Sequence, residues 1–475
     1  MSCFSEILST SAGIRSVAGS VGRGALPLGV LGLSPLSKVH FVNTLCGLCD
    51  RKALVVLPDE AQATRFCEDF NAFNGTRGGA YLYPARDFAF RPAEGQSREF
   101  EHVRLRALSK VLSGDFSVIA CSAEAASQMT LPPGELKSRT FTIHSGDELS
   151  PEKIVSRLLA AGYVRADLVE GEGQFAQRGG ILDFFPPESE QPVRVELWGD
   201  TVDTMGTFEV DTQRRTKELK TVRVTPATEI LFDSDEALSE KIRAHTLSLK
   251  GKGSVKAKQS LEADLQRLES GLRVPCVDRY LPIAYGESAT IFDYFDGGML
   301  FVCESSAVRE RVNAAYSLLN EEIKYLFEDG VLAKGLDKYA LSFAEMSGVY
   351  EKLGAMYLDN FARGSFDTPV KDLVTINANQ LTPWDGTLSV LLDDIRPVLS
   401  RDCVCAVAAG SEKAAKNLAQ TLEDEGVPAI YFSLPPAEFV KGRVNVLAGT
   451  FSAGVYYPNE KFMLVSFGGV TGKGS

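Results

Sequence analysis

The chain reads as an α/β protein made of a parallel-sheet unit, a strand-rich stretch and a second α/β unit. Three observations carry that reading. From about residue 26, short apolar runs alternate with helical stripes, the rhythm of a parallel sheet with flanking helices. Near residue 140 the rhythm gives way to closely spaced strands, and beyond about residue 351 it returns. The 475 residues allow about three domains, each burying its own core.

Taken in order, Ala53–Leu57 is a buried strand, and Pro58-Asp59 opens a helix with Ala63, Phe66, Cys67, Phe70 and Phe73 on one face. A strand at Ala80–Tyr83, a helix near 98–112 and a strand at Ser117–Cys121 follow. The strand-rich stretch holds Ile181–Phe185 and Val193–Trp198, a Gly199-Asp200 turn, and a third strand through about Phe208. Helical patterning resumes at Asp235–Leu249 and Gln259–Leu272, ahead of a strand at Met299–Cys303. In the last unit Cys403–Ala408 is a strand and Gly410-Ser411 a turn with a helix cap. Ala414, Ala415, Leu418 and Leu422 form a stripe ending at Gly426. Strands at Ala429–Phe432, Val444–Leu447 and Phe462–Ser466 complete it. The expected division is 1–140, 141–225, 226–350 and 351–475, with no internal repeat.

Within Val193–Trp198 the residues Val193, Val195 and Leu197 alternate with Arg194, Glu196 and Trp198. The apolar set faces a core, which turns Trp198 outward on the same side as Arg194, roughly 13 Å away along the strand. An outward aromatic beside an arginine is the kind of pair that anchors a protein partner. The alternative is a tryptophan capping a sheet edge or lying under a loop.

Composition narrows the function classes. Sixty-two acidic against 50 basic residues give −12, the wrong sign for a surface that grips phosphates throughout. The run Lys250, Lys252, Lys256, Lys258 is a local basic patch, read as a solvated loop between helices. No apolar run approaches the ~18 residues of a membrane span, and no signal-peptide pattern opens the chain; together with nine scattered cysteines this predicts a cytoplasmic protein. Cys46-Gly47-Leu48-Cys49 lacks the second pair that zinc needs and sits late in an apolar run, so core packing is expected. The four histidines suggest neither a metal cluster nor a nucleophile-base pair.

The place to look for catalysis is Gly32-Leu33-Ser34-Pro35-Leu36-Ser37-Lys38-Val39, which has the frame of a phosphate loop. Ser37 stands where that pattern has its second glycine, Pro35 lacks an amide, and Val39 replaces the metal-binding hydroxyl. Lys38 alone survives, so no ATP hydrolysis, and no ATP or magnesium cofactor, is expected of this chain. Leu391-Leu392-Asp393-Asp394 mimics a strand ending in magnesium ligands, but Leu388, Leu391, Leu392 and Ile395 are spaced as a helix. The glycine-rich end, Gly468 to Ser475, is one residue short of the phosphate-loop spacing and reads as a flexible terminus.

The strand-rich stretch also carries a family resemblance. Gly173-Gln174-Phe175-Ala176-Gln177-Arg178-Gly179-Gly180-Ile181-Leu182-Asp183-Phe184-Phe185-Pro186 is similar to G-E-F-A-x-R-G-G-I-x-D-I-F-P of the bacterial transcription-repair coupling factors (Mfd). Pro192 to Asp200 and Thr212-Gln213-Arg214-Arg215 resemble that family's P-x-R-x-E-F-F-G-D and T-Q-R-S. Gln174 departs from an acid, Trp198 from a phenylalanine and Arg215 from a serine. Further likeness lies in Y-P-A-R-D-F, in D-R-Y-L-P with T-I-F-D-Y, and in G-T-F-S-A-G-V-Y-Y-P, so it spans nearly the whole chain.

The resemblance implies a helicase-lobe-like parallel-sheet domain that has lost its nucleotide site, with a small β-rich docking domain inserted into it and a second α/β domain after it. It implies that the inserted domain docks UvrA through Arg178, Arg194 and Trp198. Relatives continue into domains that bind RNA polymerase and, with ATP and magnesium, translocate on double-stranded DNA; those partners are expected beyond this chain. In relatives a C-terminal domain masks the docking surface, so this chain is expected to bind UvrA without activation. Unlike UvrB, the stretch Tyr81–Phe100 is too short for a lesion-probing hairpin. Two alternatives remain: an active ATP-dependent helicase of the damage-verifying UvrB type, and a DNA-binding module using 250–258.

Overall fold

Along the chain, the inserted region separates strands that belong to one continuous sheet. The structure, a computed structural model, describes residues 2–75, 78–287, 289–362 and 364–468, so most of the glycine-rich end lies outside the described residues. Among the described residues seven strands pair in parallel, in the order Leu373–Thr375, Leu28–Leu31, Met356–Asp359, Met299–Cys303, Ala53–Leu57, Val118–Ser122, Ala80–Tyr83. The apolar runs at 28–31, 53–57, 118–122 and 299–303 are wholly buried, because an apolar core lies on each face of the sheet. Strands before residue 141 and strands after residue 298 share this sheet. It also takes in Met356–Asp359 and Leu373–Thr375, so it runs past the 350/351 division read from the sequence. The former is a buried four-residue run directly behind a helix, and the latter a three-residue edge; neither is long enough to carry a period.

Residues 379–466 form a second sheet in the order Asn379–Leu381, Gly454–Tyr457, Phe462–Ser466, Val404–Ala408, Val444–Leu447, Ala429–Phe432. Helices Leu388–Ser400 and Glu412–Asp424 pack into one core with it, and Asp393 and Asp394 point to solvent. Part of this unit, including Phe451, Tyr457 and Phe462, joins the core that holds Phe4, Phe41 and Phe73 of the first unit. His40 bridges the two. Its Nε2 lies 2.6 Å from the Phe4 carbonyl, which can only accept, so the Tyr457 hydroxyl donates to Nδ1 at 2.9 Å.

In the inserted region six strands follow one another across a single sheet: Val164–Arg165, Gln174–Arg178, Ile181–Phe184, Val193–Trp198, Thr201–Phe208, Arg215–Leu219. The helix Pro151–Ala160 lays Ile154, Val155 and Leu158 against the inner face, where Phe175, Leu182, Phe184, Val193, Val195 and Met205 are buried. Gln174–Arg178 and Arg215–Leu219 are strands that their polar sequences did not suggest. A third, helical cluster gathers Ile242, Leu261, Ile323 and Leu326. Its helix Val255–Glu269 starts early enough that Lys256 and Lys258 ride on it rather than on a loop.

The insertion returns to its host through a buried ion network. Glu229 accepts from Arg86 Nε and Arg104 Nε, each at 2.6 Å, and from the Thr130 hydroxyl at 3.1 Å. Arg86 also grips Asp278 with both terminal nitrogens, at 2.9 and 3.2 Å. Glu101 receives the Glu229 amide at 2.7 Å and the Thr228 hydroxyl at 2.8 Å. Burial alone would raise the Glu101 carboxyl, but Arg98 and Arg86 outweigh it and hold it well below the usual carboxylate range.

Two outcomes follow from these contacts. Glu229→Ala leaves two buried guanidiniums short of a counter-charge and should cost about 3–5 kcal/mol in urea or guanidinium unfolding; a loss under about 1 kcal/mol would contradict the assigned role. Burial lowers the His40 pKa from 6.5 to about 4, so the folded chain refuses a proton that the unfolded chain accepts. The His40 contribution is therefore complete above about pH 6.5 and is lost as pH falls toward 4, by at most ~1.4 kcal/mol per pH unit. Between pH ~6.5 and ~5 wild type should lose stability more steeply than His40→Gln, and parallel melting curves would refute this.

Candidate docking face and phosphate-loop remnant

The outer face of the inserted sheet carries the three residues singled out for a partner. Strand register sets Arg178 beside Ile181, Ile181 beside Glu196, Asp183 beside Arg194, and Trp198 beside Thr201. Cross-strand neighbours point to the same side, so these side chains share the face opposite the core. Trp198 is 85% exposed, which removes the edge-cap alternative, and Ile181 on the neighbouring strand is 40% exposed. Arg178 is exposed and donates to the Asp167 carbonyl at 2.9 Å.

Arg194 is on this face but mostly committed within the chain. Its Nε and Nη2 each reach Asp183 at 2.8 Å, and it donates to the Gln213 carbonyl at 3.2 Å and side chain at 3.1 Å. Its guanidinium lies 4.4 Å from the centre of the Phe208 ring, and Phe208 is buried in a small outer-face cluster with Val169 and Ala176. The Asp183 hydrogen bonds, which outweigh desolvation, raise the Arg194 pKa further. Four of its five N–H donors are thus used, and it holds the 209–214 turn, where Gln213 sits at φ 58°, down on the sheet. The sequence alternation placed Arg194 on the outer face; Asp183, which fixes it, belongs to the next strand and gave no local signal.

The phosphate-loop-like segment has strand–turn–helix geometry: Leu28–Leu31, then Gly32 to Ser34, then the helix Pro35–Cys49. Gly32 has φ 89°, and a Cβ there would stand 2.1 Å from the Ile376 carbonyl oxygen, so only glycine fits. Two of the loop's backbone donors are turned inward. Gly32 N–H reaches the Asp359 carbonyl at 3.1 Å, and Ser34 N–H reaches the Ser37 hydroxyl at 2.7 Å. Lys38 is 4% exposed; its Nζ donates to Glu304 at 2.7 Å and to the Leu33 carbonyl at 3.0 Å. Glu304 also receives the Asn360 amide at 2.9 Å.

The remaining candidates do not assemble into a site. Among the described residues no group of three or more His, Cys, Asp or Glu could hold a metal ion, and no helix is long and apolar enough to cross a membrane. Cys46 and Cys49 lie at the end of the Pro35–Cys49 helix as free thiols, and burial pushes Cys46 up to about 12. Lys250, Lys252 and Lys256 are exposed and Lys258 is half-buried. Residues 84–98 contain neither helix nor strand, so no hairpin forms there.

Comparison with known proteins gives these features a context. Residues 141–230 match the UvrB interaction domain. Over 462 residues, 95% of the chain, it is 27% identical to the transcription-repair-coupling factor of Bacillus subtilis (strain 168), of which it covers 39%. The corresponding protein of Haemophilus influenzae (strain ATCC 51907 / DSM 11121 / KW20 / Rd) is 30% identical over 251 residues, 52% of this chain and 21% of that protein. That of Staphylococcus epidermidis (strain ATCC 12228 / FDA PCI 1200) is 21% identical over 452 residues, 92% of this chain and 37% of its own length. The first two relatives are thus covered to 39% and 21% of their lengths.

Removing Arg194 should strand Asp183, 8% exposed, without its cation. Arg194→Ala is expected to cost about 2 kcal/mol or more and to loosen the 209–214 turn. Chemical unfolding together with amide exchange at Gln213 and Arg214 measures both, and unchanged protection of the turn would show that Arg194 does not hold it.

Proposed function

We propose, from homology to the transcription-repair-coupling factors over nearly the whole chain, that this protein is an adaptor recruiting UvrA to transcription-coupled nucleotide excision repair. The homology and the UvrB interaction domain support a role in transcription-repair coupling. The observation that carries the finer reading is the outward indole of Trp198, 85% exposed on a sheet face that also holds Arg178 and Arg194. A large aromatic left in water costs the free protein hydrophobic stabilisation, and a partner's pocket would recover it.

In this reading the first α/β unit is a scaffold and not a motor. What supports that part is the engagement of Lys38 by Glu304 and of two loop amides by other protein groups. The same contacts weigh against an active UvrB-type helicase, since a nucleotide would have to displace an ion pair whose lysine is 4% exposed. RNA polymerase and double-stranded DNA are proposed as partners of the larger assembly in which relatives act, with ATP and magnesium serving there. A cytoplasmic location fits this role.

Purified UvrA titrated onto wild type should bind, and binding should be lost on Arg178→Ala/Arg194→Ala/Trp198→Ala, with the Trp198 anchor contributing roughly 2 kcal/mol. Equal binding by both proteins would end the docking reading. The same preparations should show no DNA-stimulated, magnesium-dependent ATP turnover; turnover abolished by Lys38→Ala would support the helicase reading instead.

A further inference from the structure

The face that holds Trp198 carries another cation whose placement is built into the sheet. Arg215, in the strand Arg215–Leu219, pairs with Phe208 of the neighbouring strand, and its side chain runs back over Gly206. A Cβ on Gly206 would stand 2.6 Å from the Lys217 carbonyl oxygen, 3.0 Å from Arg215 Nε and 3.1 Å from its Cδ, so the bare Cα leaves room both for the adjoining backbone and for this side chain. Arg215 Nη2 meets Glu196 at 3.1 Å and the Thr204 hydroxyl at 3.2 Å. The Thr204 hydroxyl in turn donates to the other Glu196 oxygen at 3.1 Å. Glu196 is two residues from Trp198 on the same side of its strand, so the guanidinium ends about 7 Å along the strand from the indole position.

We infer that Arg215 is a partner-contacting cation of this face, and that the partner surface sets a carboxylate against it beside the pocket that takes Trp198. The inference rests on the docking reading and assigns it a chemistry. Arg194 has one N–H donor left, so it serves the interface by holding the 209–214 turn rather than by offering charge. Arg178 and Arg215 are exposed guanidiniums of this sheet. Strand order puts Arg178 two strands to one side of the Glu196–Trp198 strand and Arg215 two strands to the other. The apolar centre of Trp198 and Ile181 is thereby flanked by positive charge on both sides. A complementary protein surface is an apolar pocket between acidic groups. The side chains of Arg215 and Glu196 are 36% and 44% exposed, so a partner carboxylate can replace or share the internal one at little cost.

The test is calorimetric titration of UvrA onto wild type, Trp198→Ala, Arg215→Ser and Arg215→Glu, at about 50 and about 200 mM salt. Arg215→Ser should weaken binding about threefold to tenfold at low salt and flatten its salt dependence, and Arg215→Glu should weaken it further. Melting temperatures should stay near wild type, because the internal pair is exposed. Trp198→Ala abolishing binding while Arg215→Ser matches wild type in affinity and salt slope would overturn the role of Arg215 and leave the docking reading intact. Undiminished binding by Trp198→Ala would overturn the docking reading, and this inference with it.

Discussion

A buried carboxylate, Glu229, bonded to two arginines from different parts of the chain, is the constraint on which the arrangement of this molecule rests. Arg86 comes from the loop after Ala80–Tyr83, Arg104 from the helix Glu99–Ser113, and Glu229 from the segment by which the inserted region rejoins its host. Asp278, from a fourth segment, completes the charge balance on Arg86. Taking such groups out of water costs several kcal/mol each, and the Coulomb attraction repays it only where geometry and satisfaction are good. Here nearly every donor is placed, and Gln128 closes remaining gaps by bonding to Arg104 and to the Arg86 backbone. One Arg104 nitrogen, Nη2, stays unsatisfied, its guanidinium stacked 4.3 Å over the Tyr83 ring. A network of this kind tolerates few alternative poses, so it fixes where the insertion stands.

That fixed stance gives the proposed docking face its rigidity. The inner face spends its apolar residues on the Pro151–Ala160 helix, while Glu172 and Glu188 tie the insertion's loops to Arg106 and Ser109 of the host helix. The outer face is therefore free to carry residues that make no sense for stability alone. Trp198 stands in water, and on its face Arg194 and Arg215 are held by ion pairs with Asp183 and Glu196. Pre-ordering of this kind lowers the conformational cost of binding, which a mobile arginine would otherwise bear at the moment of contact.

How much of this was legible in the sequence depended on whether the signal was local. The alternation in Val193–Trp198 needed only six residues to separate core from surface, and its bounds match the observed strand. Buried runs such as Ala53–Leu57 and Met299–Cys303 were equally plain, since a parallel strand covered on both faces is apolar throughout. The Leu373–Thr375 edge is half in water and three residues long, so nothing in its own sequence marks it as pairing with Leu28–Leu31. The ion network was visible only as family-like motifs, Y-P-A-R-D-F and D-R-Y-L-P. Their chemistry depends on Glu229, which lies 143 residues from Arg86 along the chain. Arg215 read as a mild departure from a serine; only the bare Cα of Gly206 across the sheet reveals why a long side chain fits there.

The phosphate-loop-like segment follows the same logic of internal satisfaction. A strand–turn–helix with a lysine at its start leaves amides and an ammonium that, in an empty site, would be turned to water. In this chain those groups bond to parts of the same domain that arrive after the insertion: Lys38 to Glu304, Gly32 to the carbonyls of Asp359 and Asn360, and Ile376 N–H to the Leu31 carbonyl. Each bond joins the N-terminal portion of the sheet to the C-terminal portion. Such closure across more than 250 residues has a large loop-entropy cost, which the shared core and these buried pairs together offset. An arginine network at one place and a lysine clasp at another thus stitch together a sheet whose strands are split by the insertion. These bonds hold the portions of the sheet before and after the insertion together.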